Sequence, residues 1–139
     1  VALVRETLAE FGLRFGEGAT TDEELTRLPG SYVDHGGMFW VAIDDASVVL
    51  GTCGVFPVGP GDYELRKMYL HMRARGTGLG KRLLDEALAW TRSQGGRRMV
   101  LDTTEQMTRA IAFYEANGFV RDDAQVRGSR CTRGYARPL

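Results

Sequence analysis

The chain has 139 residues, 43% hydrophobic and 26% charged, with a formal net charge of zero. That length suits one domain with a single core and is too short for two ordinary ones. No apolar run approaches the ~20 residues needed to cross a bilayer, no signal peptide is visible, and the two cysteines, Cys53 and Cys131, lack the spacing of a disulfide framework or a zinc site. A cytoplasmic protein without metal or membrane partner is expected.

The zero net charge hides an asymmetry. Residues 1–65 hold 3 Arg against 11 carboxylates, and residues 66–139 hold 15 Lys or Arg against 7, so the halves carry −8 and +8. Solvated helix and loop faces account for most of the basic excess, and no basic run has the interleaved aromatics of a nucleic-acid binder. Part of it could attract a polyanionic small ligand.

Ala2 to Phe11 reads as a helix, with Leu3, Leu8 and Phe11 on one face and Gly12 as its stop. A second, shorter helix starts at Thr21, where Thr21 and Glu24 have capping-box spacing and Leu25 and Leu28 form the apolar side. Gly30, Gly36 and Gly37 then break the chain before a strand, Met38 to Ile43, which ends in an Asp44-Asp45 turn. Ser47 to Val58 is the next strand, and Gly59-Pro60-Gly61-Asp62 is a hairpin turn into the strand that carries Glu64. These three strands predict an antiparallel meander.

A strand-like run from Leu65 to Met72 leads into Arg75-Gly76-Thr77-Gly78-Leu79-Gly80-Lys81. From there Leu79, Leu83, Leu84, Ala87, Leu88 and Thr91 recur at helical spacing until Gly95-Gly96. Three alternate glycines let the backbone turn tightly and approach a ligand, while a new helix points its unpaired N–H groups at it. A phosphate or pyrophosphate is the expected guest. Two better-known glycine motifs do not fit: Arg75 and Arg82 occupy positions where a P-loop needs Gly and Ser or Thr, and Lys81 stands where a dinucleotide fingerprint needs Gly.

Met99 to Thr103 reads as a short buried strand, parallel to the Glu64 strand through a right-handed helical crossover. Thr103 and Gln106 again have capping-box spacing, opening a helix with Met107, Ala110, Ile111 and Tyr114 on one face and Asn117-Gly118 as its stop. The tail from Phe119 to Ala136 fits two more strands around a polar connection, Asp122 to Arg130.

Three of these segments together resemble the GNAT superfamily of N-acetyltransferases. Arg75, Gly78 and Gly80 fit its Arg-x-x-Gly-x-Gly acyl-CoA pyrophosphate loop; Glu64 to His71 is similar to its fourth strand; and Ala110 to Phe119 is similar to the later helix with a tyrosine shortly before a Gly-Phe pair. The resemblance implies an α+β, three-layer fold over residues 1–139: a mixed, mostly antiparallel sheet with a splayed parallel pair and helices on both faces. It also implies an edge strand ahead of the first helix, upstream of Val1.

The implied chemistry is acetyl transfer from acetyl-CoA to a primary amine of a small molecule or peptide, by direct attack in a ternary complex. Arg75, Gly76, Thr77, Gly78, Leu79, Gly80 and Lys81 would hold the CoA phosphates, and the backbone of Met68, Tyr69 and Leu70 would grip the pantetheine arm. A backbone N–H near Leu70 could stabilise the oxyanion. Tyr114 would protonate the departing thiolate and Glu64 would take the amine's proton, directly or through water. Beside those roles stand plainer ones, a core tyrosine and a strand-start carboxylate, and His71 is a second candidate base.

An acyl-enzyme on Cys53 or Cys131 is the rival mechanism, without a local cue for a lowered thiol pKa. One position departs from the family: its frequent Asn, which helps hold the cofactor arm, is Met107 here, leaving Thr103 or Thr104 as substitutes. The resemblance implies that residues 12–34 and 122–130 select the acceptor, and there Arg14, Glu17, Asp122, Asp123 and Arg127 mix signs: carboxylates would suit a polyamine and arginines an amino acid or peptide carboxylate. A non-catalytic acyl-CoA sensor is the alternative from another class, and a homodimer is left open.

Overall fold

The computed structural model describes residues 30–46 and 48–139. The expected helices at Ala2 to Phe11 and from Thr21 lie outside these residues, and the first element described is a short helical turn, α1 (Gly30–Val33). Gly30 therefore sits within a helical turn, and the chain leaves the helix at residues 34–37, where Gly36 takes φ 83°. The strands are β1 (Met38–Ile43), β2 (Val49–Gly59), β3 (Asp62–Leu70), β4 (Arg98–Thr103), β5 (Val120–Arg121) and β6 (Arg133–Pro138), with α2 (Leu79–Ser93) and α3 (Thr108–Ala116) between them.

The six strands form one mixed sheet in the order β1-β2-β3-β4-β6-β5. All neighbours are antiparallel except β3 and β4, which run parallel, as a helical crossover between them requires. Gly59 and Asp62 pair across the β2–β3 turn, with Gly61 at φ 75°. Asp44 closes the β1–β2 turn by accepting the N–H groups of Ala46 and Val48, both at 2.9 Å.

Successive side chains of β1 point to opposite faces, and each face meets a helix. Phe39 packs edge-on against Tyr32 of α1, at 5.2 Å between ring centroids, while Trp40 meets Trp90 of α2 at 6.0 Å. The main core lies under α2 and α3: Leu83, Leu84 and Leu88 from α2 and Ile111 and Tyr114 from α3 join Cys53, Val55, Met99, Leu101 and Tyr135 of the sheet.

α2 follows the predicted apolar spacing, with Leu83, Leu84, Ala87, Leu88 and Thr91 buried. It ends at Gly95, φ 81°, whose N–H reaches the Arg92 carbonyl while the N–H of Gly96 reaches that of Thr91, a left-handed helix stop that favours glycine. The predicted capping box before α3 does not form. Thr103 stays in β4, paired with Arg133, residues 104–107 make a turn in which Thr104 bonds the Gln106 side chain, and α3 begins at Thr108 without a side-chain cap.

Candidate active site

The cleft exists because β3 and β4 part company. Their parallel pairing covers Asp62↔Arg98, Tyr63↔Met99 and Glu64↔Val100 and then stops. Just beyond, β3 bulges: Thr52 faces Tyr69 and Gly54 faces Arg66, so Cys53 alone lies opposite Lys67 and Met68. An extra residue bends its strand and increases the local twist. Lys67 takes φ 53°, uncommon for a side chain-bearing residue, and its carbonyl accepts the Thr52 hydroxyl at 2.7 Å.

The bend also aims the backbone. His71 donates its N–H to the Leu50 carbonyl at 2.7 Å, and bonded and non-bonded pairs alternate along an antiparallel ladder. The neighbouring pair Gly51↔Leu70 is thus a non-bonded one. The Leu70 N–H faces away from β2, on the side β4 has left, where a backbone donor is available to a bound carbonyl.

β3 ends two residues before the expected Met72, because residues 72–74 close into a 3-10 turn capped by His71, whose Nδ1 accepts the Arg73 N–H at 3.2 Å. That contact gives His71 a structural task. The glycine segment follows, with Gly76 at φ 77° and Gly78 at φ 87°. Gly78 caps α2 without a side-chain bond. A Cβ at Gly76 or Gly78 would meet nothing within 4 Å, whereas one at Gly80 would press on Leu70 at 3.0 Å. The first two glycines therefore leave open space before a helix N-terminus, as an anion cradle needs. Only Gly80 serves packing. Lys81 turns its ammonium along the helix to Asp85, at 2.7 Å.

Two cavities meet in the splay. The first, about 230 Å³, is mostly apolar and is lined by Leu70, Arg75, Gly76, Gly80, Arg109 and Phe113. The second, about 290 Å³, is charged and is lined by Glu64, Arg66, Lys67, Asp102, Arg127 and Arg130. Both are walled by Met68, Tyr69, Met107, Ala110 and Tyr114. Met107 lines both cavities, and Thr103 and Thr104 line the charged one beside it.

Tyr114 is 7% exposed and packed against Phe113 and Phe119. Burial, and then Cys53 and Tyr69 nearby, push its phenol pKa upward, so the hydroxyl keeps its proton and acts as a donor. Burial likewise raises the Cys53 thiol. Burial and Asp102 push Cys131 up to about 12, which leaves little of the thiolate an acyl-enzyme mechanism would need.

Glu64 is buried and bonded at both oxygens, Oε1 to Nε of Arg66 at 2.6 Å and Oε2 to Nη1 of Arg127 at 3.0 Å. Arg66 also lies 4.3 Å over the Phe56 ring. Asp102 Oδ2 accepts the backbone N–H groups of Arg127 and Gly128, at 2.6 and 2.8 Å. Of the polar connection, Arg127 and Arg130 face the cavity, while Asp122 caps its own turn and Asp123 pairs with Arg121. Arg14 and Glu17 lie outside the described residues. Arg66, Lys67 and Asp102 were not among the predicted site residues; a charged strand end beside a parallel pair was the available signal. Among the described residues no three His, Cys, Asp or Glu side chains converge as metal ligands.

A model of the GNAT acetyltransferase family matches residues 4–119. The chain is 36% identical over 125 residues to YjgM of Escherichia coli, named an uncharacterized N-acetyltransferase, covering 87% of this chain and 74% of the relative. A GNAT-family acetyltransferase from Staphylococcus aureus superposes with a TM-score of 0.86 at 24% identity, covering 99% of this chain and 88% of that one. The PaiA N-acetyltransferase of Thermoplasma acidophilum, solved in complex with coenzyme A, superposes with a TM-score of 0.70 at 24% identity, covering 86% and 72%.

Proposed function

The chain belongs to the GNAT family of acetyltransferases, and from that premise we propose that it transfers acetyl from acetyl-CoA to a primary amine of a small molecule or peptide, by direct attack in a ternary complex. The observation that carries this reading is the pair of cavities sharing Tyr114. One opens beside the glycine loop and the other beside the charged β5–β6 connection, so a donor and an acceptor can approach one buried phenol together.

The open φ-positive glycines at 76 and 78 and the uncapped start of α2 suit the CoA phosphates. The apolar cavity suits the pantetheine arm, and the Leu70 N–H suits the thioester oxygen as charge develops on it. The neutral amine forms a C–N bond to the thioester carbon, the C–S bond breaks, and the thiolate takes the Tyr114 proton. The nitrogen's surplus proton after attack returns to the phenolate, and the ammonium's own proton, lost before attack, passes to Glu64, directly or through water. For Glu64 to accept it, one of its two guanidinium contacts must yield.

The reading is tested by offering acetyl-CoA and a panel of primary amines while following free-thiol release. Release that depends on an amine and matches the N-acetyl product supports it. Coenzyme A binding without turnover of any amine would replace it with the sensor alternative.

A further inference from the structure

The charged cavity distinguishes between acceptor classes. A polyamine would need carboxylates to receive its ammonium groups, and of the two that line this cavity one is held at both oxygens and the other at one. Glu64 gives both oxygens to Arg66 and Arg127, and Asp102 Oδ2 takes two backbone N–H groups of the connection. Cationic lining outnumbers them: Arg66, Lys67, Arg127 and Arg130. A buried carboxylate already held by guanidinium groups has little left to offer a second cation.

Resting on the acetyl transfer proposed above, we propose that the acceptor amine carries a carboxylate a few bonds from its reacting nitrogen, and that Arg127 holds that carboxylate. Nη1 of Arg127 bonds Glu64 and the Gln125 carbonyl, and Nη2 reaches Gln125 Oε1 at 3.5 Å. Its Nε edge carries no such bond among the described residues, and its side chain is 41% exposed. That edge, Nε–H beside an Nη2–H, is a fork that matches the two oxygens of a carboxylate. Asp102 fixes the backbone from which the fork projects, so less ordering is lost on binding. Because Arg127 also touches Glu64, a carboxylate on it would place a nearby amine beside the group proposed to take its proton.

The experiment compares kcat/KM for a set of L-amino acids and their own primary amides, with spermidine as the polyamine, in wild type, Arg127→Gln and Arg127→Lys. The expected wild-type preference for acid over amide is on the order of tenfold or more, the range of a lost charge-assisted pair. It should collapse towards one in Arg127→Gln and survive in part in Arg127→Lys, with CoA affinity by calorimetry unchanged in both. Using the ratio removes any effect of Arg127 on Glu64, which both substrates share. Turnover without an acid preference, a preference for spermidine, or an undiminished preference in Arg127→Gln would overturn the carboxylate assignment alone. A wild type that acetylates none of these amines would overturn acetyl transfer to amines as well.

Discussion

The donor and acceptor sides of the cleft are made of different material. On the donor side the structure offers backbone: two glycines with positive φ, a helix start without a side-chain cap, and the Leu70 N–H turned towards the gap. On the acceptor side it offers side chains from distant segments, such as the Glu64–Arg127 pair that spans 63 residues of sequence. A backbone cradle recognises phosphates and amide-like arms that are the same in every turnover, whereas charged side chains on a connection between strands can be exchanged without disturbing the sheet. In the proposed reaction the common substrate and the particular one would thus be read by different chemistry.

Tyr114 belongs to both sides, and its removal tests whether they work together. Tyr114→Phe keeps the ring between Phe113 and Phe119 and deletes only the hydroxyl, so melting should change little. Turnover should fall by about 10²-fold or more, the range of a lost general acid. Unchanged turnover would leave Tyr114 a core residue and separate the two cavities functionally.

The donor side can be broken alone. Gly78→Asp places a carboxylate where a Cβ has open space, so packing tolerates it. Its charge would face phosphates bound as proposed, and the φ of 87° suits Asp better than most residues. CoA binding measured by calorimetry should weaken on the order of tenfold or more. Wild-type affinity would mean that the phosphates lie elsewhere.

The acceptor side responds to pH. An alkylammonium with pKa near ~10 must lose a proton before attack, so Glu64→Gln should lower the rate about tenfold near neutrality, less than the ~10²-fold of a fully lost base because water can still take the proton. Alkaline buffer supplies neutral amine unaided, and the defect should shrink as pH rises. A ratio of wild-type to variant rates that stays flat across a pH series would leave Glu64 the task of holding Arg66 and Arg127 in place.

The same contrast explains what could be read from the sequence. Glycine spacing, strand alternation and helical periodicity are local, so the meander, the parallel crossover, α2 and the loop at Arg75 to Lys81 were legible. The bulge at Lys67 was not, because nothing in Leu65-Arg66-Lys67-Met68 marks a residue for positive φ; Thr52, on another strand, helps hold it. The β4–β6 pairing that keeps Thr103 extended defeated a local capping-box reading for the same reason. At the site, Tyr114 and Glu64 fell beside the splay through their place in a matched segment. Arg66, Lys67 and Asp102 gained their positions only when β3 and β4 separated.

The central claim is that both substrates occupy the cleft at once and meet at Tyr114. Initial rates of thiol release, with acetyl-CoA and one productive amine varied against each other, test it most directly. Double-reciprocal lines that intersect are the predicted result. Parallel lines, the mark of an acetylated enzyme formed before the amine binds, would contradict it.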